Sequence, residues 1–326
     1  MRRLKRREFL RAAASLTAAA GVRPAAAAEG QARVIFLEDS ETPLAARLGL
    51  FRQALAAAGL PPERVAFEVR EMPGSDERPL RRELALSVKR DPSVFVTGSV
   101  DITMNGLPFM ARIPLVLATY VDPVKLGIDT AAAPRRYNVT GFNYDVSIDM
   151  KAIEVLADAF PEARRVALVA DRTWMQYHHA NLDIGQIRER FGIAIDLVIP
   201  AAPRSVEWEF ERLLPARADA CYAPNSDVTL FSSPQLIAFL QRHRVPHVFG
   251  SQGALQHGAM MSYGVRRDSH WQPMATMVRH ILSGAVASDM PFERASEFVL
   301  GVNVAQVRKM GLRIPKHMLR RANLVV

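Results

Sequence analysis

The sequence predicts an α/β protein made of two lobes, each built around a parallel sheet. Short apolar runs typical of buried strands alternate along the chain with segments of helical periodicity. The runs are continuously apolar, as expected when helices cover both faces of a sheet. The chain has 326 residues, of which 49% are hydrophobic, and this is enough for two separate cores.

The first half contains five predicted strands. Residues 33–37 form a compact apolar strand, and residues 44–58 carry apolar side chains at helical spacing until Gly59 and Pro61 end the helix. Further strands are expected at residues 65–69, 93–97, 113–118 and 139–142, with a helix at 79–89.

The second half repeats this rhythm. A helix is expected at residues 147–160, with Ser147 or Asp149 available as its cap. Strands are expected at 165–170, 193–199, 218–223, 246–249, 259–263 and 298–302, and helices at 174–191, 206–214, 234–243 and 270–282. We expect Trp271 to pack the last of these helices onto a sheet.

The first 28 residues are typical of a secretory signal peptide. A basic segment, an apolar segment of about 11 residues and a run of small residues follow one another, and the apolar segment is too short to span a bilayer. The pair Arg6-Arg7 favours the twin-arginine route, with a general secretory leader as the alternative. We therefore expect a soluble periplasmic protein, since no later segment has 18 uninterrupted apolar residues.

Much of the net charge of +9 belongs to this leader. Residues 1–28 hold seven Lys or Arg side chains and one acid, Glu8, so that 35 basic and 32 acidic side chains remain beyond it. An excess of three charges does not indicate a nucleic-acid partner. The lone cysteine, Cys221, excludes an intramolecular disulfide and a Cys-rich metal site, and we expect it to be a buried core thiol.

Polar residues follow many of the predicted strands. Ligands of open parallel sheets bind beyond the carboxyl ends of the strands, where backbone N–H groups at helix starts suit a carboxylate or a zwitterion. The residues selected as ligand-binding candidates on this ground are Asp39, Ser40, Gly98, Ser99, Tyr120, Asp122, Asn225, Asp227 and Ser251, with Trp174 as an aromatic surface for stacking. The alternative for any one of them is an ordinary loop or capping residue.

Catalytic and cofactor motifs are missing from the sequence. There is no G-x-G-x-x-G, no G-x-x-x-x-G-K-[ST] and no G-x-S-x-G. His178 and His179 are adjacent, which puts them about 100° apart on a helix, and His243, His247 and His257 lack ligand spacing. We expect no metal, no cofactor and no enzymatic activity.

Seven segments in order resemble the family of ABC-transporter substrate-binding proteins that includes tryptophan-type and tyrosine-type binders. Residues 257–264, H-G-A-M-M-S-Y-G, are similar to the G-G-L-M-S-Y-G segment of that family. The other segments are residues 113–116, 122–124, 138–142, 281–284, 298–303 and 310–315. The resemblance covers nearly all of residues 33–326. Gln252 or Gln256 stands where the family often has an acid, so the ligand need not be a standard amino acid.

The resemblance implies two Rossmann-like lobes joined by a three-crossing hinge, the type I periplasmic binding protein fold. One lobe would comprise residues 32–143 plus 265–295, and the other residues 144–262 plus 297–326. Gly98 and Ser99 would hold an anionic head group, Tyr120 or Trp174 would cover an apolar body, and Asp227 would take an ammonium or hydroxyl group.

The family's function implies capture of a small molecule, such as an amino acid or small carboxylate, in a cleft between the lobes. The partners would be an ABC permease and its ATPase, and the protein itself would be a monomer. Two alternatives stay open: a ligand-sensing module for a signalling partner, and an exported enzyme.

Overall fold

The fold is known from a computed structural model that describes most of the chain after the leader. The described residues are 31–39, 45–73, 77–108, 112–128, 137–144, 148–177, 182–200, 218–226, 232–266 and 268–326, with His179, Glu211 and Thr229. The predicted leader, the helix predicted at 206–214 (Glu211 apart), and the candidate residues Ser40 and Asp227 lie outside them.

Six strands form the first sheet, and every pair of neighbours in it is parallel. They are β1 (Ala32–Asp39), β2 (Val65–Met72), β3 (Val94–Thr97), β4 (Leu115–Thr119), β5 (Val139–Asn143) and β11 (Glu293–Arg294). Their order across the sheet is β11-β5-β4-β3-β1-β2.

Seven strands form the second sheet, in the order β13-β12-β10-β9-β8-β6-β7. They are β6 (Arg165–Val169), β7 (Ala194–Val198), β8 (Ala220–Ala223), β9 (His247–Phe249), β10 (Met261–Val265), β12 (Phe298–Val302) and β13 (Leu324–Val325). One pair, β10 with β12, is antiparallel, and the others are parallel.

Helices cover both faces of each sheet. They are α1 (Ala45–Ala57), α2 (Glu77–Val88), α3 (Val100–Gly106), α4 (Ile148–Ala159), α5 (Arg172–Tyr177), α6 (Ile184–Phe191), α7 (Ser233–Arg242), α8 (Gly253–Gln256), α9 (Trp271–Leu282), α10 (Val304–Lys309) and α11 (Lys316–Arg321), with a 3-10 turn at Ala287–Asp289. Among the described residues no helix is long and apolar enough to cross a membrane.

The alternation of side chains along β1 shows how the first sheet is covered. Val34 and Phe36 belong to one core cluster with Phe51 of α1 and Trp271 of α9, whereas Ile35 and Leu37 belong to another with Leu80 of α2. Trp271 is 5% exposed, and its ring centroid lies 5.6 Å from that of Phe51. The predicted packing of this helix onto a sheet is therefore confirmed.

The chain passes between the two sheets three times: after β5, after β10 and after β11. The predicted α/β fold with two largely parallel sheets is confirmed. The helix predicted at 174–191 is wrong in its continuity, because Asp183 accepts a hydrogen bond from Gln186 N at 2.8 Å and starts a new helix there. Cys221 is fully buried, as expected.

Candidate functional site

The carboxyl end of β3 leads directly into the start of α3. The hydroxyl of buried Thr97 donates to Leu37 O at 2.9 Å and accepts from Ser99 N at 3.2 Å, which fixes the turn. Ser99 then caps α3, its Oγ accepting from Ile102 N at 3.3 Å. Gly98 between them is exposed, and no atom lies within 4 Å of the position a Cβ would take. A ligand can therefore approach the backbone closely here.

The next strand of the same sheet ends in a second polar turn. Thr119 Oγ1 accepts from Val121 N at 2.9 Å, and Asp122 Oδ1 accepts from Val124 N at 2.9 Å. Tyr120, between these turns, is half-buried and packs against the core cluster of β4. Because β3 and β4 are neighbours, Gly98, Ser99, Tyr120 and Asp122 lie along one edge of the first sheet.

Asp149, in the first turn of α4, organises the corresponding edge of the second sheet. Its carboxylate accepts from the hydroxyl of Tyr222 in β8 and, at 3.3 Å, from the indole N–H of Trp174 in α5. Burial, followed by the charge of Asp149 and the hydrogen bond to it, holds the pKa of Tyr222 well above its usual value. A single carboxylate thus connects three elements next to the candidate site.

Trp174 was predicted to be an aromatic surface for the ligand, and its ring is 1% exposed. It packs in the core cluster of the second sheet, and its backbone N–H is capped by Asp171 Oδ1 at 2.7 Å. In this conformation the ring supports the site through Asp149 rather than offering a face to a guest. The sequence marked Asp149 only as a helix cap, because spacing along the chain does not show which hydroxyl will face a carboxylate.

Asn225 follows β8 at the tip of the second sheet. Its Oδ1 is buried and accepts no hydrogen bond from the described residues. A Cβ on Gly250, which follows the neighbouring strand β9, would lie 2.6 Å from Asn225 N, so only glycine allows this approach. Ser251, the next residue, accepts from Gly253 N at 3.3 Å and is half-buried.

The predicted site residues therefore form two groups. One lies after β3 and β4 of the first sheet, and the other, consisting of Trp174, Asn225 and Ser251, lies after β6, β8 and β9 of the second. Asp39 ends β1 beside the first group, and its side chain is outside the described part of the structure.

The segments that connect the sheets contact one another. The rings of Tyr144, after β5, and His270, before α9, are 5.2 Å apart in an edge-on arrangement. Arg266, after β10, forms an ion pair with Glu297, before β12, and its backbone N–H donates to Glu297 O at 2.8 Å. The three crossings thus form one contiguous connection.

A shallow cavity of about 340 Å³ lies elsewhere, at the carboxyl end of the edge strand β2. Pro73, Arg78, Pro79, Arg82 and Glu83 line it, and none of them is a predicted site residue. Across the described residues, no three His, Cys, Asp or Glu side chains are grouped to hold a metal ion.

Comparison with known proteins places these features in a family. Residues 54–326 match the family described as "ABC transporter substrate binding protein". A protein named "Tyrosine-binding protein", from Clostridioides difficile (strain R20291), is 19% identical over 209 residues, which cover 62% of this chain and 58% of that protein. The matched region therefore spans little more than half of the length of this relative.

Solved structures agree with the fold at low sequence identity. A conserved domain protein from Vibrio cholerae superposes with a TM-score of 0.79 at 18% identity, covering 91% of this chain and 100% of that one. An ABC domain in complex with L-Trp from Streptococcus pneumonia gives 0.79 at 15% identity, with the same coverage. The ligand-free, open structure of a substrate-binding protein with adhesive properties from Clostridium difficile gives 0.67 at 19% identity, covering 90% and 99%.

Proposed function

The chain belongs to the family of ABC transporter substrate-binding proteins, and from this premise we propose that it captures a small molecule between its two sheets and delivers it to an ABC importer. The observation that carries the proposal is the pair of polar edges. Each sheet ends in turns rich in hydroxyl and amide side chains, at the edge where parallel sheets bind their ligands.

The three crossings of the chain between the sheets support a division into two lobes. One lobe would hold residues 32–143 plus 265–295, and the other residues 144–262 plus 297–326. The connection between them, with Tyr144 against His270 and Arg266 against Glu297, would act as the hinge. Closure about it would bring the two polar edges onto the guest.

The ligand class that fits these edges is an amino acid or another small carboxylate. The exposed backbone of Gly98 and the hydroxyl of Ser99 lie at an open turn, and this hydroxyl, which accepts from Ile102 N, can still donate its hydrogen to an anionic group. Asn225 Oδ1 accepts no hydrogen bond from the described residues, and it would accept one from an ammonium or hydroxyl group in a ligand-bound conformation that uncovers this buried oxygen. The relatives named as tyrosine-binding and as an L-Trp complex support an aromatic amino acid as the first compound to test.

The site of action would be the periplasm. The 28-residue leader, with its Arg6-Arg7 pair, supports export by the twin-arginine route. The permease and the ATPase of an importer would then be the partners on the membrane, and the receptor would work as a monomer.

A thermal-shift screen tests the proposal. The exported protein is mixed with L-Trp, L-Tyr, other aromatic acids and small carboxylates, and calorimetry follows on any compound that raises the melting temperature. A true ligand at about 100 times its dissociation constant adds about 2.7 kcal/mol to the free energy of unfolding. Chemical conversion of one of these compounds by the protein would contradict the proposal. A melting temperature that none of these classes of compound raises would contradict it as well.

A further inference from the structure

In residues 298–326 every charged side chain is basic. Residues 298–326 contain six Lys or Arg side chains and His317 but no Asp or Glu, although acidic residues number 33 in the whole chain. All six cations are exposed: Arg308, Lys309, Arg313, Lys316, Arg320 and Arg321. Arg321 pairs with Asp158 at 2.8 Å, and the other five form no ion pair with the described residues. We call these six side chains the C-terminal basic surface.

Helix electrostatics account for only part of this charge. Arg308 and Lys309 lie in the last turn of α10, and Arg320 and Arg321 in the last turn of α11, where cations interact favourably with the helix dipole. Lys316 is the first residue of α11, where the dipole disfavours a cation and no acid of the first turn offsets it. Arg313 lies in the loop between the helices. The helix dipoles therefore do not explain the charges of Lys316 and Arg313, and charges that the fold does not need are typical of a surface with a function.

This surface lies at the edge of the second sheet opposite the candidate ligand site. Strand β12 runs antiparallel to β10, with Val302 beside Met261 and Phe298 beside Val265. Because β10 runs parallel to β9, the end of β12 and the start of α10 lie at the amino ends of the parallel strands. The ligand candidates lie at the carboxyl ends, so the basic surface cannot be part of their site.

Exposed aliphatic side chains lie beside the start of α10, the helix that carries Arg308 and Lys309 in its last turn. Val304 N, at the start of α10, donates to Val326 O at 2.8 Å, which holds the end of β13 beside the start of this helix. Leu324, Val325 and Val326 are 42%, 56% and 56% exposed. The surface therefore combines cations with unburied aliphatic groups.

We propose that the C-terminal basic surface binds anionic phospholipid membranes, with the cations at the headgroups and the aliphatic end of β13 at the interface. The chemistry favours a lipid over an acidic protein partner. The cations are spread over two short helices and a loop, and a membrane responds to this charge density together with apolar contact rather than to a fixed geometry. Binding in this orientation would hold the protein close to the membrane while leaving the ligand edge free.

Flotation with lipid vesicles tests the inference. The sample is exported protein whose intact mass shows that residues 1–28 are absent, because the basic leader would itself bind anionic lipid. It is mixed at about 50 mM salt, where the Debye length is above 10 Å, with vesicles of phosphatidylcholine alone or with 30 mol% phosphatidylglycerol. We expect binding to the anionic vesicles only.

Charge-matched variants identify the surface. Replacing Arg308, Lys309, Arg313, Lys316 and Arg320 by Gln should lower the partition coefficient at least tenfold, since each basic side chain near the membrane adds to the attraction. The control replaces five exposed cations elsewhere by Gln and should bind as the wild type does: Arg82, Lys89, Arg112, Arg172 and Arg188. Changing Arg308, Arg313 and Arg320 to Lys should also preserve binding, because a membrane does not need guanidinium geometry.

Three results would overturn the inference. They are no binding to anionic vesicles, equal losses in both Gln variants, and a loss in the Lys variant, which would indicate a shaped acidic protein partner instead. Circular dichroism on each variant separates loss of binding from loss of fold. The outcome is independent of the ligand, so vesicle binding can fail while the proposed solute capture stands, and the reverse also holds.

Discussion

The buried imidazole of His247 accepts a hydrogen bond at its Nε2 from the backbone N–H of Met260, at 3.0 Å. Its Nδ1 lies 2.9 Å from Val245 O and therefore carries the proton. Both bonds need the neutral ring. Burial lowers the pKa of His247 to about 4, against a smaller opposing effect of the Val245 carbonyl. The ring thus connects β9 to the residue that precedes β10.

We predict that this histidine makes the protein acid-sensitive. Its pKa is lower in the folded chain than the usual value near 6.5, so its contribution to stability is complete above pH 6.5 and is lost as the pH falls toward 4. The loss amounts to about 3 kcal/mol at pH 4. Urea unfolding of wild type and His247→Gln between pH 4 and 7 measures this loss of stability.

The His247→Gln variant should be less stable at pH 7, and its stability should depend less on pH. The substitution of an exposed histidine, His243→Gln, should follow the wild type. Parallel pH profiles for wild type and His247→Gln would contradict the prediction.

The hydrogen bond between Tyr222 and Asp149 predicts a second effect. Tyr222→Phe removes a donor from a carboxylate that also accepts from Trp174, and should lower the free energy of unfolding by about 2 kcal/mol. Denaturant unfolding measures this, and a double-mutant cycle with Asp149→Asn should show coupling of about 1 kcal/mol. Tyr263→Phe is the control, because the Tyr263 hydroxyl forms no hydrogen bond with another described residue, and this substitution should change stability little. Additive effects of the two substitutions would show that the contact has no energetic role.

Most strands of the two sheets could be predicted because their composition is decisive. Leu115, Val116 and Leu117, for example, are buried on both faces of β4, so the sequence there is apolar without interruption. The helices covering them were found from periodicity in the same way. The short helices α3, α8, α10 and α11 were not predicted, since four to seven residues are too few for a helical period to emerge.

The direction of β12 could not be derived from composition either. Composition does not show the direction of a strand. The antiparallel pairing arises because β12 enters the second sheet from β11 of the first, at the edge where β10 left it, with Phe298 beside Val265. The strand-tip rule placed Ser99 and Asn225 at the carboxyl ends of β3 and β8, because it depends only on where strands end, and their binding role stays a prediction. It could not find Asp149, whose role depends on Tyr222 and Trp174 meeting it in space.

The close approach of two glycines near the hinge predicts a steep cost of substitution. A Cβ on Gly264 would lie 2.0 Å from Gly250 O, which is backbone and cannot rotate away. Gly264→Ala should therefore destabilise the protein by about 3 kcal/mol. Gly49→Ala is the control, since nothing lies within 4 Å of its Cβ position in α1, and it should stabilise by up to about 1 kcal/mol. Thermal unfolding separates the two, and equal melting temperatures would mean that β10 can move to accept the methyl group.

Ser99 should affect both stability and ligand affinity. Ser99→Ala removes the cap of α3 and should cost about 1 kcal/mol of stability. If the hydroxyl also meets the ligand, affinity should fall about fivefold, the equivalent of one neutral hydrogen bond. Asp183→Ala removes a comparable cap from α6, at an exposed position that is not one of the candidate residues, and should lower stability alone. Calorimetric titration of both variants with the compound found by thermal shift decides between a cap and a binding residue. Unchanged affinity in Ser99→Ala would remove this residue from the site.

For Asn225, unlike Ser99, we expect substitution to lower ligand affinity without lowering stability. Its Oδ1 is buried without a hydrogen bond from the described residues, an arrangement that costs about 1–3 kcal/mol in a protein that has no ligand. Asn225→Ala should therefore leave the protein without ligand as stable as the wild type or more so. If the oxygen also meets the ligand, the substitution should weaken binding at least tenfold, because the ligand loses a hydrogen-bond acceptor. Unfolding without ligand and calorimetric titration with it measure the two effects separately.

Asn323→Ala is the matched amide control: its Oδ1 already accepts from Leu300 N at 2.9 Å, so this change should lower stability and leave affinity intact. Loss of stability in Asn225→Ala with unchanged affinity would mean that the oxygen serves the fold, and Asn225 would no longer be a candidate binding residue.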